Sequence, residues 1–201
     1  MSNMSGVSSS ATEEYDDPKR RVVLAAALGV FGRYGFQKTS MEAVAKAAGI
    51  SRPGLYLLFP NKEQLYRATM QGVMERGQQA MEACFADESL SFEERTVAAL
   101  DALLGQYVET QVARDVSELL ENNGPQLGSM FHDYQLRAKA TMCAQVESLA
   151  PPGLLTADLG AEDVMEFLFS AAVTWKQTAA TRAEFRDRIR RAVRLICRAA
   201  D

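Results

Sequence analysis

Residues 39–67, TSMEAVAKAAGISRPGLYLLFPNKEQLYR, read as two short helices joined by a glycine turn, with a third helix opening a few residues later. Thr39 and Glu42 form a capping box for the first: a hydroxyl at the N-cap and a carboxylate three residues on, each covering an orphan backbone N–H. Met41, Val44, Ala45 and Ala48 give that helix an apolar face at steps of three and four. Gly49 supplies the positive φ that stops it. Ser51 caps the second helix, and Arg52, Pro53 and Gly54 fill its first turn, where proline forfeits no hydrogen bond. This is a helix-turn-helix pattern, whose second helix can enter the major groove of DNA.

The rest of the chain contains no competing β signal. No run of alternating Val, Ile, Thr and aromatic residues is bounded by hairpin turns, so the expected fold class is all-α. A chain of 201 residues with 47% apolar content can bury a sizeable core. Charge is partitioned along it. Residues 1–17 hold four acids and no base, a net −4; residues 18–67 hold nine Lys and Arg against two acids, a net +7; the remainder carries −7. A basic module on an acidic body suits a phosphate-backbone partner.

The helix-turn-helix, with the helix before it, resembles the DNA-binding domain of the tetracycline-repressor (TetR) family. The resemblance runs from Val22–Leu28 with Phe31, Tyr34, Gly35 and Phe36, through Thr39-Ser40, Val44-Ala45 and Ala48–Ser51. It ends with Leu55-Tyr56, Phe59, Asn61–Glu63 and Leu65, about residues 20–67. It implies an all-helical protein of about nine helices: an N-terminal three-helix domain and a C-terminal ligand-binding and dimerisation domain. It also implies a regulator that binds a pseudo-palindromic double-stranded operator as a homodimer.

Helical signals divide the chain accordingly. Residues 1–16, rich in Ser and acids, form an acidic tail expected to be disordered. Residues 17–66 form the helix-turn-helix domain, with Asp17 capping the first helix and Val23, Ala27, Val30, Phe31 and Tyr34 as its core stripe. Residues 67–201 form the second domain. Asn61 opens a helix with an apolar seam of Met70, Met74, Gly77, Met81 and Phe85. Ser91 and Glu94 cap another, to about Val112, and a short helix is expected near 115–121. A long helix covers 126–149 and stops at Pro151-Pro152-Gly153. The last two run over 162–178 and, capped by Thr181 and Glu184, to about Arg198.

Lys19-Arg20-Arg21 before VVLAAALGVF imitates a signal peptide, but an acidic tail precedes it and no small-residue cleavage site follows. Ten apolar residues are too few to span a bilayer. The expectation is a cytoplasmic protein with no membrane partner. Cys84, Cys143 and Cys197 are odd in number and far apart, which fits a reducing compartment rather than a disulfide framework. His132 is the only histidine, no Cys or His pair has ligand spacing, and no nucleotide or hydrolase motif occurs, so no metal, cofactor or catalytic residue is expected.

On the recognition helix, Arg52 can reach guanine O6 and N7, and Gly54 allows close backbone approach. Tyr56 and Lys62 match family positions that hold phosphate, and Thr39 or Ser40 can do so from the N-terminus of the preceding helix. Lys46 faces outward as a further phosphate contact, beside Ser51 and Pro53. Of Leu57 and Leu58 one packs inward; the other meets a thymine methyl or is buried. Capping for Thr39, packing for Tyr56 and simple solvation for Lys62 are the competing readings.

In the second half, Leu103, Leu104, Tyr107, Phe131, Tyr134, Met142, Phe167, Ala171 and Trp175 offer the apolar and aromatic lining of a pocket for a small hydrophobic effector. Val164, Leu168 and Ala172, with Phe185, Ile189, Val193 and Ile196, resemble the helix pair that forms a four-helix dimer interface. The expected function is a repressor released by that effector. A helical scaffold protein and a small-molecule-binding helical enzyme are the alternatives.

Overall fold

The computed structural model describes residues 18–108, 124–156 and 158–198. Among them the fold is all-α: α1 Pro18–Lys38, α2 Met41–Ala47, α3 Arg52–Leu58, α4 Lys62–Ala86, α5 Phe92–Leu103, the single turn α6 Gly124–Leu127, α7 Met130–Leu149, α8 Ala161–Thr178 and α9 Arg182–Arg198. A 3-10 turn, Gly105–Tyr107, follows α5. The acidic tail, the Asp17 cap and the helix expected near 115–121 lie outside the described residues. The chain forms two compact units that divide at Gly72 and Val73, inside α4.

In the first unit, α1 buries Val23, Leu24, Ala27 and Phe31. Tyr34, expected in that stripe, is half exposed, with the Arg33 guanidinium 5.5 Å from its ring centre. Gly35 breaks the helix with φ 73° and ψ 168°, a conformation that a side chain would strain. Phe36 then turns inward, where Phe31 and Phe36 each approach Tyr66 with ring centres 4.9 Å apart. Burial pushes the Tyr66 phenol up to about 12.

The cap of α2 differs from the sequence reading. Ser40, not Thr39, is the N-cap, its Oγ accepting the Ala43 N–H at 3.1 Å. The Thr39 hydroxyl is buried and donates to the Gly35 carbonyl at 2.7 Å. The break at Gly35 leaves carbonyls without helical partners, and Thr39 is drawn backward to satisfy one of them.

In the second unit, Ser91 and Glu94 form the expected capping box, with Oγ to the Glu94 N–H at 3.3 Å and Glu94 Oε2 to the Ser91 N–H at 2.9 Å. The helix ends at Leu103 rather than near Val112. Gly105, in the 3-10 turn, lies so close to the Asp101 carboxylate that a Cβ would clash with it. The single helix expected over 126–149 is split at Gly128, φ 60°. Thr181 Oγ accepts the Glu184 N–H at 3.1 Å to open α9, and the Glu184 carboxylate accepts the Ala180 N–H at 2.9 Å.

Helix α9 packs against α5 and α8, and α8 against α7. Their shared core holds Phe85, Leu100, Leu103, Met142, Val146, Leu168, Phe185 and Ile189. Here the residues expected at a dimer interface pack inside the protomer. Val164, Leu168, Ala172, Phe185, Ile189 and Val193 are 3% exposed or less within the protomer, and Ile196 packs partly buried against them. The most apolar stripe of α8 and of α9 packs on its own neighbours within the protomer. No described helix is long and apolar enough to cross a membrane.

Candidate nucleic-acid interface and effector cavity

Helix α3 has one buried anchor, Leu55, and a continuous outer face formed by Arg52, Pro53, Tyr56 and Leu57. Ser51 Oγ caps it by accepting the Gly54 N–H at 3.2 Å. A Cβ on Gly54 would stand 3.1 Å from that oxygen, so glycine keeps the cap intact at the point of closest backbone approach. Leu57 is 87% exposed; Leu58 is the half-buried member of the pair.

Arg52 and Tyr56, one helical turn apart, are joined. The guanidinium lies 5.7 Å from the Tyr56 ring centre, and a side-chain hydrogen bond with Tyr56 raises the Arg52 pKa further above its already high ordinary value. Arg52 is therefore a cation on a solvent face, beside the Tyr56 ring. Lys46 is exposed on the last turn of α2. Ser40 is exposed; its Oγ accepts the cap hydrogen bond and keeps an O–H that can donate outward.

Two of the residues expected at DNA face elsewhere. Thr39 is buried, as described. The Lys62 ammonium donates to the carbonyls of Phe36 at 3.0 Å, Gln37 at 3.3 Å and Thr39 at 3.1 Å. Three carbonyls match the three donors of an ammonium. Arg20 makes a second such link, its guanidinium 4.4 Å from the Phe59 ring centre and 3.4 Å from the Leu58 carbonyl. Sequence spacing could not show this, because both links join residues more than twenty positions apart.

In the second unit a cavity of about 170 Å³ is lined by Leu103, Leu104, Tyr107, Phe131 and Tyr134, all expected there. Met74, Gln135, Ala138, Phe169, Val173 and Lys176 line it too and were missed. Met142 belongs to the core, and Trp175 packs partly buried against that core. Phe167 and Ala171 lie instead in a shallow groove with Asp163, Glu166, Ser170 and Thr174, where Phe167 is 53% exposed. Two residues along a helix is a rotation of about 200°, so 169, 173 and 176 face the cavity while 167 and 171 face away. His132 is exposed and does not line the cavity.

Among the described residues no three His, Cys, Asp or Glu side chains converge to hold a metal ion. Burial pushes the Cys84 and Cys143 thiols above their ordinary pKa, which disfavours the reactive thiolate.

Residues 23–69 match the family described as bacterial regulatory proteins, tetR family. The HTH-type transcriptional regulator RutR of Escherichia coli (strain K12) is 39% identical over 57 residues, 28% of this chain and 27% of that one. The chain thus spans about a quarter of that relative's length in the match. A TetR-like transcriptional regulator from Rhodococcus sp. RHA1 superposes with a TM-score of 0.65 at 25% identity, over 87% of this chain and 92% of that one. A transcriptional regulator from Saccharomonospora viridis, solved in complex with choline, gives a TM-score of 0.71 at 15% identity, over 87% and 95%. The latter likeness is one of fold. The matched segment presents Arg52 and Leu57, and the fold shared with those structures continues through the second unit: residues 23–69 form a tetR-family helix-turn-helix segment, and the chain has a TetR-like fold.

Proposed function

We propose that this chain is a sequence-specific DNA-binding repressor, acting as a homodimer on a pseudo-palindromic operator and released by a small hydrophobic effector. The observation that carries the reading is the outer face of α3, where Arg52, Pro53, Tyr56 and Leu57 are exposed together on a basic unit. A surface leucine at 87% exposure on the same face as an exposed arginine fits major-groove readout: arginine for guanine, an apolar contact for the thymine methyl. Ser40, Lys46, Ser51 and Tyr56 are the phosphate-side contacts in this reading. Lys62 and Thr39 act through the helices they fasten and are positioning residues.

The cavity supports the effector half of the proposal. It is apolar, has a few polar groups, and involves Met74 of α4, the helix that begins at Lys62. A ligand that binds one arrangement of α4 better than another would bias the helix and change operator affinity. A protein of the same fold holds choline, which supports a small-molecule role for this half. Phe167 on α8 and Leu195 on α9, 53% and 68% exposed, are apolar residues open to a dimer contact.

The test is selection from random double-stranded DNA with the full chain, followed by binding titrations of wild type and Arg52→Ala. An enriched pseudo-palindrome that Arg52→Ala binds far less well is the expected result. Enrichment of no sequence, with only salt-sensitive binding, would reject the regulator reading.

A further inference from the structure

Charge changes sign abruptly at the start of α1. Residues 1–17 carry Glu13, Glu14, Asp16 and Asp17 and no Lys or Arg, whereas residues 18–67 carry a net +7. The four acids stand within five consecutive positions, around Tyr15. Arginine binds carboxylate and phosphate with the same fork of donors, so this short segment and the DNA backbone suit one and the same basic surface.

The fold fixes where the segment enters the first unit. The Arg20 guanidinium lies 4.4 Å from the Phe59 ring centre and 3.4 Å from the Leu58 carbonyl, so the first turn of α1 is seated beside the C-terminal end of α3. Helix α3 has seven residues, which places Arg52 about 10 Å along the axis from Leu58. Glu13 precedes Pro18 by five residues, a reach of at most about 18 Å. Glu13 and Glu14 can therefore meet Arg52 while Asp17 stays at the start of α1, where a carboxylate suits a helix N-terminus.

The outer face of α3 is open among the described residues. Arg52, Pro53, Tyr56 and Leu57 are exposed, Leu57 to 87%, and Lys46 is exposed on α2. Cations beside an uncovered leucine complement carboxylates beside an aromatic ring. We propose that residues 13–17 cover this face in the DNA-free protein, so that duplex DNA must displace the chain's own acidic segment in order to bind. The proposal rests on the reading of α3 as the helix that contacts DNA. Exposed ion pairs are individually weak, which keeps the contact reversible, and tethering supplies a high local concentration. A face left free about one-tenth of the time binds duplex about tenfold more weakly than an open one.

Two readouts on the full chain and on the triple variant Glu13→Gln, Glu14→Gln, Asp16→Asn, which keeps Asp17, test it. One is titration with a random-sequence duplex of about 30 base pairs at about 50 and about 300 mM salt. The other compares backbone amide resonances of the two proteins without DNA. The variant should bind about tenfold more tightly at the lower salt, with the gap largely closed at the higher, because screening weakens the covering contact. The amides of Arg52, Tyr56 and Leu57 should shift between the two proteins. Deletion of residues 2–14 should reproduce both effects.

Equal affinities would overturn the proposal. So would tighter binding with unmoved α3 amides, the signature of long-range repulsion between the acids and the duplex. Shifts confined to residues 18–21 would make the segment a cap of α1 and reject it as well. In each of these cases the DNA-binding reading survives. A duplex bound by neither protein would reject that reading, and the proposal with it.

Discussion

The Lys62 ammonium donates to the Phe36 carbonyl at 3.0 Å and lies 4.5 Å from the centre of the Phe36 ring, so one lysine secures that residue by backbone and side chain together. Gln37 and Thr39 supply the other two acceptors. The start of α4 is thereby tied to Thr39 and to the last turn of α1, just past the point where Gly35 interrupts helical geometry. Lys62→Met keeps the stem and removes the donors. It should lower stability in urea unfolding by about 1–3 kcal/mol, the range for leaving acceptors unpaired, with no DNA present. A phosphate-binding lysine would give the opposite pattern: stability unchanged, and a salt dependence of operator binding reduced by roughly one counterion.

Arg52 and Leu57 should behave in the reverse way. Both are exposed and outside the core, so Arg52→Ala and Leu57→Ala should leave the thermal midpoint where it is. Arg52→Ala should weaken the selected operator roughly ten- to a hundredfold and relax one position in each half-site. Leu57→Ala should erase a preference for thymine over uracil at one position, since only the methyl distinguishes them. Titration of thymine- and uracil-substituted operators with both variants checks this. An unchanged methyl preference in Leu57→Ala would remove Leu57 from base readout.

How far the sequence could be read follows from the range of each signal. Caps and turns are local, so Ser51, the Ser91–Glu94 box and Thr181 were legible from spacing alone. The cap of α2 was misplaced by one residue because Thr39 answers to Gly35, beyond the helix it precedes. Apolar stripes were equally legible, but periodicity cannot say what a stripe faces. Val164, Leu168 and Ala172 form one face of α8 whether the partner is α9 or another protomer, and burial assigns them to the protomer. The cavity wall of the same helix was missed for a related reason: Trp175 drew the reading to 167, 171 and 175, while 169, 173 and 176 turn inward.

The Asp101 carboxylate carries a further prediction about the second unit. It accepts two hydrogen bonds from Arg182, both at 2.9 Å, with Arg186 at 3.7 Å, and its side chain is 8% exposed. These contacts tie α5 to the first turns of α9. Asp101→Asn removes the negative charge that both arginines face and should cost about 2–3 kcal/mol, less than a fully buried pair because Arg182 is partly solvated. Gly105→Ala should be destabilising as well, since its Cβ would collide with the same carboxylate and the neighbouring Phe185 ring is also close. Chemical denaturation of the two single variants and the double variant checks the shared cause. Effects that simply add would show that the glycine and the carboxylate act independently.

Assembly offers the sharpest contrast, because two faces of the same helix pair make opposite predictions. Val193 lies at 1% exposure in the core shared by α5, α8 and α9, whereas Phe167 is 53% exposed on the outer side of α8. A glutamate at Val193 would be an unpaired charge inside the protomer, which costs several kcal/mol. Val193→Glu should therefore unfold the second unit, with lost helicity and a lowered thermal midpoint. A glutamate at Phe167 stays in water in the lone protomer and is desolvated only if a second copy covers it. Phe167→Glu should keep the far-ultraviolet circular dichroism of wild type, sediment as a monomer, and lose the cooperative occupation of two half-sites while retaining weak binding to one. The neighbouring acids Asp163 and Glu166 line the same groove, so the added charge also repels across a symmetric contact. If Phe167→Glu sedimented as a dimer with intact operator affinity, the outer face of α8 would not be the interface, and Leu195→Glu on α9 would be the next variant to separate the protomers.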